Sequence, residues 1–93
     1  MKIEFKQEAK AEIVDSFFFY EGKRIGLGKQ FINELEQILQ LISLSPGLFP
    51  KHRRGLKKAI IRRFPFIIIF EIEKAVITIY AVFHTSRNLA KRI

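Results

Sequence analysis

The stretch 64–83, FPFIIIFEIEKAVITIYAVF, constrains this chain more than any other. It holds two apolar, β-branched and aromatic runs on either side of Glu73-Lys74. Runs of this kind favour paired strands, because such side chains pack well on a pleated surface. The expected element is a β-hairpin, and most of what precedes it is expected to cover one of its faces.

Pattern alone suggests a register. A two-residue loop at Glu73-Lys74 pairs Ile72 with Ala75, Phe70 with Ile77, Ile68 with Ile79, and Phe66 with Ala81. All eight side chains are apolar and share one face. The neighbouring register would set Thr78 opposite Phe70 and Tyr80 opposite Ile68, mixing the faces. A one-residue slip exchanges the two faces of a strand, so burial selects the first option. Ile67, Ile69, Glu71, Val76, Thr78, Tyr80 and Val82 then form the reverse face. A one-sided sheet would be more polar there, so cover by the C-terminal residues or by another chain is expected. The same register sets Arg63 opposite His84, with Arg62 and Arg87 nearby.

The preceding sequence reads as two helices behind a short strand. Lys2–Lys6 alternates with period two, which argues a half-buried strand. From Gln7 to about Arg24 the period lengthens, and Ala9, Ile13, Phe17 and Tyr20 form one helical stripe. Phe18 and Phe19 widen that stripe or flank it. Gly26-Leu27-Gly28 reads as a tight helix-to-helix joint. It lacks the preceding strand and the Lys-Ser/Thr of a phosphate-binding loop. Leu27, Phe31, Leu35, Ile38, Leu39 and Ile42 stripe a second helix, which ends before Ser45-Pro46-Gly47 because proline disfavours helical backbone in the residue ahead of it. Residues 47–55 read as loop and Leu56–Ile61 as a strand. The expected fold class is α+β, of order β-α-α-β-β-β. A helical hairpin packs on one face of a small, mostly antiparallel sheet, in a single domain spanning residues 1–93.

Charge is unevenly placed. Residues 1–50 carry six Lys/Arg and seven Asp/Glu, whereas residues 51–93 carry eleven and two. Such asymmetry points to an acidic or polyanionic partner, or to a merely solvated basic surface. The binding candidates are Arg53, Arg54, Lys57, Lys58, Arg62, Arg63, Arg87, Lys91 and Arg92. The absence of cysteine excludes disulfides and thiolate metal sites. His52 stands alone among basic residues, without metal-ligand partners, so no metal and no cofactor is expected. The N-terminus, MKIEFKQEAK, lacks the apolar core of a secretory leader, and the longest uncharged run of the hairpin, Ala75–Ser86, is too short to span a bilayer. A cytoplasmic chain without membrane contact is expected.

The run YEGKRIGLGKQFINELEQILQLISLSPGLFP, followed by RRFPFIIIFEI and AVFHTSR, resembles the ParE branch of the RelE/ParE toxin superfamily. These are small basic toxins of bacterial type II toxin–antitoxin pairs, often described as plasmid stabilisation proteins. The similarity extends from about Ala9 to Arg87. Its most specific pieces are Gly26-Leu27-Gly28 with Phe31, Arg63-Phe64-Pro65-Phe66, and His84 with Arg87. The resemblance implies the same β-α-α-β-β-β order and a cognate antitoxin whose C-terminal segment wraps the toxin. It also implies a target, either DNA gyrase, which is blocked, or ribosome-bound mRNA, which is cleaved. The ParE-like sequence favours gyrase. The family commonly follows these His and Arg positions with Asp-Pro, where this chain has Asn88-Leu89.

Cleavage of RNA needs an acid or base and a cation at the scissile phosphate. His84, Arg63 and Arg87 are the catalytic candidates if the chain is a nuclease, since imidazole titrates near neutrality and guanidinium grips phosphate oxygens. No carboxylate assists, because Glu71 and Glu73 lie at the closed end of the hairpin. Gyrase inhibition needs only a binding face. A plain nucleic-acid-binding module is a third possibility, without a recognition helix or an RNA-stacking motif to support it. Ile67, Ile69, Tyr80 and Val82, on the reverse face, are the expected antitoxin contacts.

Overall fold

A computed structural model describes residues 1–61 and 63–85. The elements are β1 (Lys2–Phe5), α1 (Gln7–Lys23), α2 (Leu27–Leu44), β2 (Lys57–Ile61), β3 (Phe66–Glu73) and β4 (Val76–His84), with short 3-10 turns at Pro46–Leu48 and Arg53–Gly55. The sheet order is β1-β4-β3-β2. β1 runs parallel to β4, and the β2/β3 and β3/β4 pairs are antiparallel. The fold is therefore the expected α+β arrangement with a mostly antiparallel sheet.

Both helices lie on one face. α2 contributes Phe31, Leu35, Leu39 and Ile42 to the core, and α1 contributes Ala9 and Tyr20. They meet Ala59 and Ile61 of β2, Phe66, Ile68 and Phe70 of β3, and Ile77, Ile79 and Val82 of β4. The periodic stripes read from the sequence supply the buried residues of both helices, because a helix is stabilised by hiding its apolar face. In α1, however, Phe17 is only half-buried, and Phe18 and Phe19 are exposed and do not widen the core stripe.

The helical joint is held by one carboxylate. Glu21 accepts the backbone N–H of Gly26 at 2.9 Å and of Gly28 at 3.0 Å. A carboxylate at this place satisfies otherwise unpaired donors and complements the positive end of the α2 dipole. Gly26 has a φ of 89°, a conformation that glycine adopts at little cost. At Gly28 the reason is space: an added Cβ would lie 2.7 Å from the Phe17 carbonyl oxygen.

The hairpin register differs from the expected one. Lys74 and Ala75, not Glu73 and Lys74, form the loop, and Ile72 pairs with Ile77 and Phe70 with Ile79. Lys74 and Ala75 have φ of 51° and 64°, the left-handed pair that matches strand twist in a two-residue hairpin. This moves the pairing two residues along β4. A shift of two preserves the faces, so Phe66, Ile68, Phe70, Ile77 and Ile79 remain in the core.

A second difference does change the faces. The register shifts again between Ile69 and Phe70, because β4 carries an extra residue at Tyr80 between the partners of Ile69 (Ala81) and Phe70 (Ile79). Such a bulge interrupts the in-out alternation. Ala81, expected in the core, turns to the reverse face, and Val82, expected on the reverse face, enters the core. Past the bulge, His84 pairs with Phe66 instead of Arg63.

The loop geometry carries a direct prediction. Non-glycine residues in the left-handed region are strained. Ala75→Gly is expected to raise unfolding stability by about 0.5–1 kcal/mol, net of the extra chain entropy of glycine. A shift in the urea midpoint at constant slope is the measurement. An unchanged or lowered midpoint would mean that the turn stores no strain.

Candidate functional site

Much of the positive charge follows the edge strand β2. Ahead of it, residues 50–56 fold back along its outer edge. The Lys58 N–H donates to the Pro50 carbonyl at 3.1 Å, and the His52 N–H donates to that of Leu56 at 2.7 Å. Leu56 N–H in turn donates to the Arg53 carbonyl at 3.0 Å. This closes a tight turn in which Arg54 has a φ of 57°. Lys51, Arg53 and Arg54 are exposed on it.

Lys57 and Lys58 serve different ends. Lys57 pairs with Phe70 and Lys58 with Ile69, so alternation sends them to opposite faces. On the helix side, the Lys57 ammonium donates to the carbonyls of Pro46 at 3.3 Å and Phe49 at 3.4 Å, tying the loop down. Lys58 shares the reverse side with Ile67 and Ile69. Among the described residues the one ion pair is Lys2 with Glu4, at 3.4 Å. The cations of the β2 edge are therefore not neutralised by carboxylates within the described chain. His52 lies among them. Partial burial first, then the charges of Lys58 and Arg53, lower its pKa below the ordinary imidazole value and favour the neutral ring.

At the other end of β2, the chain turns sharply through Arg63-Phe64-Pro65. Phe66 N–H donates to the Phe64 carbonyl at 2.6 Å, and Thr85 N–H donates to the Pro65 carbonyl at 2.7 Å. The first bond closes a three-residue turn around Pro65. Arg63 is exposed and donates from Nη2 to Gln30 Oε1 on α2 at 2.8 Å. His84 sets its ring edge-on to Phe66, with centroids 5.5 Å apart. Arg63 thus interacts with α2 and Phe64, whereas His84 stacks on β3.

The remaining expected residues are distributed as follows. Arg62, Arg87, Lys91 and Arg92 lie outside the described residues. Ile67 and Ile69 are buried on the reverse face with Ala81 and Phe83, and Leu56 and Tyr80 pack against them. Val82 is fully buried on the helix side. Tyr80, only part-buried, is the most accessible of the four expected antitoxin contacts. Its hydroxyl donates to Glu71 Oε2 at 3.3 Å. Partial burial, then Glu71 and more weakly Glu73, raise its pKa above the usual phenol value.

Two structural residues were not singled out from the sequence. Glu21 clamps the start of α2. Glu12, from α1, accepts the Val82 N–H at 2.8 Å, closing the open edge of β4 beyond the end of β1. Glu21 had a local signal, a carboxylate shortly before a glycine-flanked helix start. Glu12 had none, because its partner lies seventy residues away. Among the described residues, no group of three or more His, Cys, Asp or Glu side chains is arranged to hold a metal ion. Among the same described residues, no helix is long and apolar enough to cross a membrane.

A helical hairpin on a four-stranded sheet, with a basic edge strand, defines a small α+β protein. The same fold occurs in a chain described as "Chromosomal ParDE TA system from P. aeruginosa". The TM-score is 0.78 and the identity 14%, over 90% of this chain and 95% of that one. No curated protein matches the chain. The family model described as "ParE toxin of type II toxin-antitoxin system, parDE" matches residues 3–89, and the chain belongs to that family.

Proposed function

We propose that this ParE-family chain acts in the cytoplasm as a non-enzymatic inhibitor of DNA gyrase, held inactive by a cognate antitoxin. The observation that carries this reading is the basic β2 edge, where Lys51, Arg53 and Arg54 are exposed and the one ion pair among the described residues, Lys2 with Glu4, lies elsewhere. An uncompensated basic edge suits the binding of an acidic surface, which is what inhibition by binding requires. The antitoxin follows from family membership, and the reading calls for no cofactor and no metal.

The purified chain is expected to inhibit gyrase-catalysed supercoiling in vitro and to leave mRNA intact in a translating extract. Its expression without an antitoxin is expected to arrest growth, with His84→Ala retaining gyrase inhibition. Codon-linked mRNA cuts that vanish in His84→Ala, with gyrase unaffected, would establish the nuclease alternative. Binding to nucleic acid with neither effect would leave a plain binding module.

A further inference from the structure

The outer face of α1 is apolar where a solvated helix would be polar. Phe18 is 66% exposed, Phe19 57%, Val14 52%, and Ile25, just beyond the helix, 92%. Ala9, Ile13 and Tyr20, on the opposite side of the same helix, serve the core. Val14, Phe18 and Gly22 follow one another at four-residue spacing, so they form a continuous stripe. An added Cβ at Gly22 would meet nothing within 4 Å, which leaves a notch in the stripe one turn beyond Phe18. Such a face is not needed by the fold described above, and single exposed residues would be unremarked where a contiguous stripe is not.

We infer that this face binds a second copy of the same chain, α1 against α1, across a two-fold axis near Phe18 and Phe19. Three features favour that occupant. The first is charge. The whole chain carries +8, with +9 in residues 51–93 and −1 in residues 1–50. Net charge therefore opposes association through residues 51–93 and does not oppose it through residues 1–50, which include α1. The second is local complementarity. Antiparallel helices related by a two-fold axis bring the same flank of each together. With the axis near Phe18 and Phe19, Asp15 lies alongside Lys23 of the second copy, and Lys23 alongside Asp15. Lys23 is already poised on this flank, its ammonium 4.7 Å from the Phe19 ring centroid. The third is area. The four exposed side chains present on the order of 500 Å² per copy. Two such faces together bury about 1,000 Å², the threshold of a specific interface. Such a dimer is modest in affinity and forms reversibly. α1 packs on α2 and β4, with its outer face turned from the sheet, so dimerisation leaves the basic β2 edge open.

The test is sedimentation equilibrium of the full-length purified chain over a range of concentrations. The expected result is a concentration-dependent mass rising from that of one chain toward that of two. Phe18→Glu is expected to weaken association at least tenfold with an unchanged far-ultraviolet circular dichroism spectrum. Charge exchange separates this arrangement from non-specific stickiness and does not depend on the behaviour of Phe18→Glu. Asp15→Lys and Lys23→Asp each weaken the dimer, and the double exchange restores it. A folded wild-type chain that remains monomeric at every concentration would overturn the inference, as would association that ignores both charge exchanges. A monomer whose α1 face is protected only by a helix of another protein would likewise overturn it. None of these outcomes depends on whether gyrase is the target.

Discussion

Replacing Phe31 by alanine is expected to lower unfolding stability by about 3–5 kcal/mol. Phe31 is fully buried, and its ring centroid lies 5.5 Å from Tyr20, 5.6 Å from Phe64 and 4.9 Å from Phe66. Tyr20 also packs edge-on against Phe64, at 4.8 Å. This aromatic group joins four separate pieces of chain: α1, α2, the turn after β2, and β3. Truncation therefore removes a large apolar surface and leaves a cavity whose walls belong to different elements, which limits how far it can collapse. A domain of this length is stable by roughly 5–14 kcal/mol, so the loss is a large share of the total. Urea unfolding followed by circular dichroism measures it, and a loss below about 1 kcal/mol would mean that the cluster repacks freely.

The second large effect concerns activity. The double substitution Arg53→Glu, Arg54→Glu reverses two exposed charges on the turn ahead of β2. Neither side chain is in the hydrophobic core, and Arg53 supplies the turn with its backbone carbonyl, which the substitution retains. The thermal midpoint is expected to stay within a few degrees, as for most surface changes. Gyrase inhibition is expected to weaken on the order of tenfold or more, because a charged surface steers and orients association with an opposite one. Growth arrest on expression and supercoiling inhibition in vitro should fall together. Growth arrest that persists at equal expression, with undiminished inhibition, would remove this turn from the target-binding surface. The left-handed backbone at Arg54 makes Arg53→Glu alone the necessary control, since it reverses charge without altering that position.

Local pattern was enough for the order of elements. Ala9, Ile13 and Tyr20, then Phe31, Leu35, Leu39 and Ile42, repeat at helical spacing and form the buried stripes of α1 and α2. The alternation in β3 likewise assigned Phe66, Ile68 and Phe70 to the core. Breakers at Gly26 and Pro46 bounded the second helix. Each of these signals is carried by neighbours in the chain, and a periodic apolar face has one stable use in water, which is burial.

The site was less legible, because its geometry depends on contacts between distant residues. Val82 was assigned to the wrong face and so was Ala81. The extra residue at Tyr80 breaks the period of β4, and beside that bulge a carboxylate from α1 accepts the Val82 N–H. Likewise, Arg63 and His84 were expected to face one another from the pairing rule alone. The Lys74-Ala75 loop and the bulge at Tyr80 moved the register so that His84 pairs with Phe66, and Arg63, in the turn before β3, bonds to Gln30 of α2. The hairpin's composition determined by itself that two strands would form and that one face would be core. Only the tertiary structure decided which β4 residues met which partners. Strand propensity and alternation act between neighbours in sequence, whereas a turn, a bulge and a side-chain hydrogen bond from a distant helix act on the assembled sheet.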